Sequence, residues 1–163
     1  GGPMARIDIP EGEAGEATQL FLMRPELGIA AGKFSHAAYH ESILPVRERE
    51  AARMRIAQIN QCQICLAYRA SSVTGQGVPE SLYAHVADHR EHDDYTDRER
   101  LAIEYAERFA LDHQAIDDDF WTRMRAHYSD EEIVDLSLCL VVFLGLGRLL
   151  AVLDVDPATA VDW

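Results

Sequence analysis

From Glu16 onward apolar residues recur at helical intervals, and Val, Ile and Thr never alternate with polar residues as a half-buried strand requires. Leu20, Met23 and Leu27, continued by Ala30, Ala31 and Phe34, mark an apolar face across two helices that meet near Arg24-Pro25. Proline suits the first turn of a helix, where its missing N–H is no loss. Pro25 therefore predicts a helix running to about Ser42, and Pro45 predicts another over 46–60 with Ala52, Met54, Ile56 and Ile59 inward. Asn60-Gln61 predicts a break. The next helix carries Cys62 and Cys65 and continues to about Thr74, where Gly75-Gln76-Gly77 ends it. Pro79 then predicts a short helix, followed by a polar stretch rich in His and Asp.

Two later helix starts carry fuller signals. Thr96-Asp97-Arg98-Glu99 and Ser129-Asp130-Glu131-Glu132 both match the capping box, in which hydroxyl and carboxylate satisfy orphan backbone donors reciprocally. They predict helices over 97–112 and 130–153, with a further helix over 117–127 placing Phe120, Trp121 and Met124 in the core. The pattern is all-α: a single helical domain over residues 14–163, preceded by a flexible arm over 1–13. Gly1-Gly2-Pro3 ahead of Met4 reads as an expression scar.

The last predicted helix is apolar nearly all round from Leu136 to Leu153, which places it in a core or a subunit contact. A chain of 163 residues has limited room to surround such a helix, so a homo-oligomer (dimer, trimer or hexamer) is expected, with Gly145 and Gly147 allowing close backbone approach. Asp135, Ser137 and Arg148 interrupt the run, whereas a membrane span wants about 20 predominantly apolar residues, so no membrane partner is expected. A formal charge of −13 opposes a nucleic-acid partner and an anionic lipid surface alike. Three cysteines are too few for a disulfide-stapled secreted scaffold, and no charged-then-apolar leader opens the chain. A reducing cytoplasm is the expected compartment, where a Cys-x-x-Cys pair is catalytic more often than structural.

That pair is Cys62 and Cys65. Residues three apart on one helix share a face, at about 5–6 Å between Cβ atoms, so a modest adjustment closes a disulfide. Asn60-Gln61 puts Cys62 at a helix N-terminus, whose partial positive charge and free amides favour thiolate. In one unbroken helix Glu50 would face about 120° away from Cys62. The break at Asn60-Gln61 permits two helices to fold together with Glu50 aimed at the thiols. Arg69, four residues after Cys65, would lower a thiol pKa and pair with Glu50, but it cannot shuttle a proton. Cys139, inside the apolar helix, is expected to be plain core.

A metal site competes for the same residues. Cys62 and Cys65 with His36 and His40 would make four zinc ligands, and His85, His89 and His92 with Asp93 and Asp94 are also spaced as ligands. Seven histidines in an acidic helical chain generate such spacings by chance, and there is no second Cys-x-x-Cys, so neither a metal nor another cofactor is expected.

Glu50, the run Arg55-x-Ala57-Gln58-x-Asn60 and Cys62-x-x-Cys65 together resemble the core of the alkyl hydroperoxidase AhpD-like / carboxymuconolactone decarboxylase superfamily. Arg24-Pro25-Glu26-Leu27 and Leu44-Pro45-x-Arg47-x-Arg49-Glu50 fit its lead-in. Thr96-x-x-Glu99-Arg100-x-Ala102, Ala106-Glu107 and Ser129-x-Glu131-Glu132-Ile133-Val134 fit its downstream helices. The resemblance implies an oligomeric all-α thiol peroxidase or disulfide reductase, without metal or haem, acting on a small peroxide or disulfide and re-reduced by a thiol reductant protein. It implies that Cys65 attacks the peroxide, that Cys62 resolves the sulfenic acid, and that Glu50 belongs to the proton relay. This chain departs from the pattern at Arg69, where the family usually has histidine, and at Ile64, where some members have one. Two other functions fit the same features: the decarboxylase branch, which does not need the cysteines, and a non-catalytic oligomeric scaffold or redox sensor.

Overall fold

The computed structural model describes residues 5–158, and the expression scar proposed at Gly1-Gly2-Pro3 lies outside them. Among the described residues there are nine α-helices, two short 3-10 segments and no strand. The helices are α1 Glu16–Leu22, α2 Pro25–His40, α3 Val46–Asn60, α4 Gln63–Ala67, α5 Ser71–Thr74, α6 Glu80–Ala84, α7 Asp97–Leu111, α8 Asp118–His127 and α9 Asp130–Val152. The 3-10 segments are Val86–Glu91 and His113–Ala115. Both predicted capping boxes are formed, at Thr96/Glu99 and Ser129/Glu132, and Pro25 stands in the first turn of α2.

α3 is the middle of the bundle, packed chiefly on α7 and α9. Its sequence is among the most polar in the chain, yet Glu48, Arg49, Glu50 and Arg53 are all buried with Ala51, Ala52, Met54, Ile56 and Ala57. Buried ions cost several kcal/mol each unless paired and hydrogen-bonded, and partners are present. Glu48 accepts from Arg98 at 2.6 Å and from the Tyr128 hydroxyl at 2.9 Å, whereas Arg49 has no carboxylate partner among the described residues: one nitrogen donates to the Tyr39 carbonyl at 3.0 Å and the other two donate to nothing. Arg47, at the margin, pairs with Glu99 at 2.9 Å. The central helix thus buries charged as well as apolar side chains.

α9 supplies the other half of the core through Leu136, Cys139, Leu140, Val142 and Phe143. Despite Asp135, Ser137 and Arg148, it is long and apolar enough to match a membrane-crossing helix, a test that the core helix of a globular protein also passes. In this fold its inner side is the centre of the main apolar cluster, and Asp135 accepts from the Ser42 hydroxyl at 2.6 Å and the Ile43 amide at 2.9 Å. Cys139 is core, as expected. Burial and the nearby Asp135 carboxylate push its thiol up to about 12.

Three sequence expectations need correction. The helix carrying the cysteines stops at Ala67 instead of Thr74, because Tyr68 is extended and its carbonyl, like that of Cys65, is taken by the Arg53 guanidinium. The apolar face Met23-Leu27-Phe34 points outward; α2 packs inward through Gly28, Ser35, Ala38 and Tyr39, whose mostly small side chains let the helices approach. The arm is docked where it is described: the Arg6 amide donates to the Leu153 carbonyl at 2.9 Å, and Ile9 packs into the cluster that holds Cys62.

Several surface carboxylates are tuned by arginine. Arg123 beside Glu104 holds its carboxyl below the usual range against the opposing effect of burial. Burial raises Glu107, but His89 and Arg55 outweigh it and leave the carboxyl low. With folded values below the ordinary carboxylate value of about 4.3, these groups stabilise the fold fully above that pH, and the stabilisation fades as pH falls through the lower folded values. Urea denaturation is therefore expected to show stability flat from about pH 7 to about pH 5 and falling steeply toward about pH 3. A flat profile across that whole range would remove these pairs from the stability account.

Candidate active site

The turn between α3 and α4 creates the site. Gln61 adopts a left-handed conformation (φ 53°), and the Cys62 amide reaches back to the Ala57 carbonyl at 3.2 Å. These are the bonds of a Schellman-type helix end, usually built on glycine. The reversal lays α4 against α3 and α9. Cys62 caps α4, its Sγ accepting from the Cys65 amide at 3.2 Å. A five-residue helix carries little macrodipole, so the amide itself, aimed at Cys62 rather than Cys65, is the electrostatic feature that this turn supplies.

Cys62 and Cys65 are joined as a disulfide, with Cα atoms 5.2 Å apart. The two sulfurs are not equivalent. Cys62 is 1% exposed and packed among Ala17, Ile64, Leu150 and Val155, whereas Cys65 is half-buried and faces a cleft. That cleft is lined by Phe21, Tyr39, Ile64, Tyr68, Phe143 and Leu146, with Arg53 its one basic residue. Burial pushes the Tyr39 phenol up to about 12, against the opposing pull of Arg53.

The sequence leaves the placement of Glu50 open and puts Arg69 on one helical face with Cys65, whereas α4 ends before Arg69. Glu50 is fully buried and its hydrogen bonds go elsewhere than the sulfurs: Arg53 grips both its oxygens, at 2.8 and 3.1 Å, and the Tyr83 hydroxyl donates to it at 2.8 Å. Arg53 then spans the gap, donating to the carbonyls of Cys65 at 2.9 Å and Tyr68 at 2.8 Å. Burial works against its charge, but the Tyr39 and Tyr83 phenols and the Glu50 carboxylate hold its pKa above the ordinary arginine value. Arg69 lies beyond the end of α4, pairs with Glu80 through 3.1 and 3.0 Å bonds, and stacks 3.8 Å above the Tyr83 ring. Its link to Glu50 therefore runs through Tyr83, not through direct pairing.

Among the described residues no histidine lines the cleft that Cys65 faces. His36 and His40 stack on each other at 4.1 Å on the outer side of α2, while Gly32, Ser35 and Tyr39 are the α2 residues that line the cleft. His89 is buried 3.3 Å from Glu107. His85 and His92 stack at 3.8 Å on the surface.

Arg53, Tyr83, Asn60 and Gly147 are site residues that the sequence reading missed. Asn60 donates to the Phe143 and Leu144 carbonyls at 3.4 and 3.2 Å and accepts from Arg148 at 3.0 Å, tying the turn to α9. A Cβ at Gly147 would lie 3.0 Å from the Asn60 amide nitrogen and 3.2 Å from the Cys65 sulfur. Overpacking of this kind costs about 1–3 kcal/mol. Gly147→Ala is therefore expected to slow alkylation of reduced Cys65 by iodoacetamide about tenfold, the effect of ~1.4 kcal/mol on a barrier. An unchanged rate would show that the sulfur does not need the space.

The matched stretch of sequence decides the family: the carboxymuconolactone decarboxylase family model aligns with residues 25–108, slightly more than half of the chain and inclusive of Glu50, Arg53, both thiols and Tyr83. The chain belongs to the carboxymuconolactone decarboxylase family. Among curated proteins, it is 34% identical over 104 residues to the uncharacterized protein YnjA of Escherichia coli and 30% identical over 93 residues to the uncharacterized protein YdfG of Bacillus subtilis. Those matches take in 63% and 56% of this chain but 54% and 63% of the relatives' own lengths. Among solved structures, an uncharacterized peroxidase-related protein from Silicibacter shares the fold (TM-score 0.80, 17% identity, 96% of this chain and 93% of that one). So does an Agrobacterium tumefaciens protein of unknown function, a candidate AhpD antioxidant-defence protein (TM-score 0.72, 22% identity, 84% and 94%). The debrominase Bmp8, solved with a mutated cysteine and 2,3,4-tribromopyrrole, shares it too (TM-score 0.76, 17% identity, 90% and 78%). All three are similar in fold, and this family member has the AhpD-like all-α architecture.

Proposed function

We propose that the protein is a thiol oxidoreductase that reduces small organic hydroperoxides or disulfides at Cys65. The observation that carries this reading is the inequality of the linked sulfurs: Cys65 opens on an apolar cleft and Cys62 is sealed behind it. The Cys65 thiolate displaces the leaving oxygen of a hydroperoxide, giving alcohol and Cys65 sulfenic acid. The Cys62 thiolate then attacks that sulfur, the disulfide closes and water leaves. A thiol donor attacks Cys65, and Cys62 departs as a thiolate stabilised by the Cys65 amide; a second thiol of the donor then cleaves the mixed disulfide, leaving as the donor's own disulfide and returning Cys65 as a thiolate. Glu50 acts at a distance, by fixing Arg53 beneath the Cys65 and Tyr68 carbonyls, and Tyr83 is its one hydroxyl partner.

The decarboxylase reading has less support. Arg53 is the one basic residue of the cleft, and its guanidinium is already engaged by Glu50 and two carbonyls, so it is poorly placed to hold a carboxylate substrate. In the sensor reading the same disulfide forms without turnover. Reduced protein mixed with one equivalent of cumene hydroperoxide is expected to lose two of its three thiols and yield the alcohol, then to cycle when dithiothreitol is supplied. One round of oxidation that dithiothreitol does not convert to cycling would favour the sensor.

The expected self-partner also has a surface. Val134, Leu138, Val141, Leu149 and Val152 form an exposed stripe on α9 at intervals of three, four or eight residues, with open space over Gly145, and Leu27, Ile29 and Phe34 are exposed on neighbouring α2. A second copy of the chain is the proposed cover. Light scattering is expected to give a mass at least twice the 18.3 kDa chain, falling to the single-chain value in Val141→Glu. A wild-type monomer at micromolar concentration would end the oligomer proposal.

A further inference from the structure

Away from the thiols, the segment between α6 and α7 gathers three metal-ligating groups. His85, Asp88 and His92 each offer one ligand atom, and these atoms all lie within 4.8 Å of one another. The His92 Nε2 is 3.0 Å from one Asp88 oxygen, and the His85 Nδ1 is 3.9 Å from the other. Two ligands bound to one zinc ion at about 2.0–2.1 Å lie roughly 3–4 Å apart, so the three atoms already stand near the spacing of a common ion, and binding it requires the stacked His85 and His92 rings to turn edge-on to the metal.

The backbone beneath the cluster is already fixed. Val86 and His89 are buried and anchor the segment, whereas the three ligands are partly or fully exposed. Arg100 donates to the carbonyls of His89 at 3.3 Å and His92 at 2.6 Å, and the Tyr95 hydroxyl holds the Leu82 carbonyl just before the segment. Asp88 leaves helical geometry (φ −116°, ψ 33°), which interrupts the 3-10 turn at the carboxylate. Ordering three ligands normally opposes binding through lost conformational freedom, and here much of the backbone part is met by folding.

We propose that His85, Asp88 and His92 form a surface site for one divalent transition-metal ion. Two imidazoles and a carboxylate suit zinc, nickel or copper, whereas calcium and magnesium prefer oxygen alone. The chain's net charge of −13, with Glu91, Asp93 and Asp94 adjacent in sequence, raises the local concentration of cations. The ligands are 30–48% exposed, so the remaining coordination positions face solvent and the ion is exchangeable. The site does not depend on the thiol chemistry.

The test is zinc titration of untagged protein with the Cys62–Cys65 disulfide closed, which withholds those sulfurs as ligands. One equivalent of zinc is expected to bind saturably by calorimetry. His85→Ala and His92→Ala are each expected to weaken binding by at least the ten- to hundredfold seen when even an outer partner of a metal ligand is removed. His36→Ala, in the other stacked histidine pair, is expected to leave binding unchanged, and circular dichroism checks that each variant is folded. The proposal is overturned if wild-type protein takes up no stoichiometric zinc, or if uptake survives the double variant His85→Ala/His92→Ala.

Discussion

Cys65→Ser is expected to abolish hydroperoxide reduction, lowering turnover by at least about a thousandfold, the scale on which loss of a catalytic nucleophile is felt. The half-buried position and near-identical shape of serine should leave the fold intact. Cys62→Ser should fail differently. It should consume a single equivalent of hydroperoxide and stop, leaving Cys65 heavier by one oxygen atom in the mass spectrum, because the sulfenic acid has lost its resolving partner. The asymmetry follows from exposure: one sulfur meets the cleft and the other is enclosed by Ala17, Ile64, Leu150 and Val155. Turnover retained in Cys65→Ser, or single-turnover behaviour exchanged between the two variants, would reverse the assignment of roles.

The second large effect is structural. Arg53→Met removes the charged partner of a carboxylate that has no access to water, leaving Glu50 with the Tyr83 hydroxyl and freeing the carbonyls of Cys65 and Tyr68. Breaking a buried pair in this way costs about 3–5 kcal/mol, a large share of the 5–15 kcal/mol that separates folded from unfolded states in most domains. The double variant Glu50→Gln/Arg53→Met should recover a substantial part of that loss, since no uncompensated ion is left inside. Urea denaturation of the wild type, both single variants and the double variant completes the cycle. A loss below about 1 kcal/mol for Arg53→Met would place the pair in a far wetter setting than its burial indicates. Where the variant folds, Cys65 should also react more slowly, because Arg53 is what ends α4 just past the thiols.

Much of the scaffold was legible in the sequence because its signals are local. A capping box or a first-turn proline depends on four or five consecutive residues, and α2, α7 and α9 begin where such signals put them. α3 was placed correctly but its burial was not foreseeable from composition. Arg47-Glu48-Arg49-Glu50 has the look of a solvated face, and what makes it interior is Arg98 and Tyr128, which reach Glu48 from fifty and eighty residues away. The partner of Glu50 was three residues away all along, but an i,i+3 pair of charges is so common on helix surfaces that spacing gives it no weight. The end of α4 was hidden for a related reason: the groups that stop it are donors on another helix. Gly147 could be recognised as a small residue on an apolar helix, but only the tertiary packing shows that the space it leaves belongs to a sulfur.

The packing around Cys62 has a consequence for the order of events. Its cluster is closed by both ends of the described chain, with Ile9 from the arm and Val155 from beyond α9 laid over it. A groove between Gln61 and Asp154 borders Cys62, but that residue is 1% exposed, so Cys65 is the sulfur open to attack. On the proposed chemistry, oxidant and reductant both react at Cys65 in turn, so the product of the first half-reaction has to leave before the electron donor can engage. Such traffic gives substituted-enzyme kinetics, with parallel double-reciprocal lines as the donor concentration is varied.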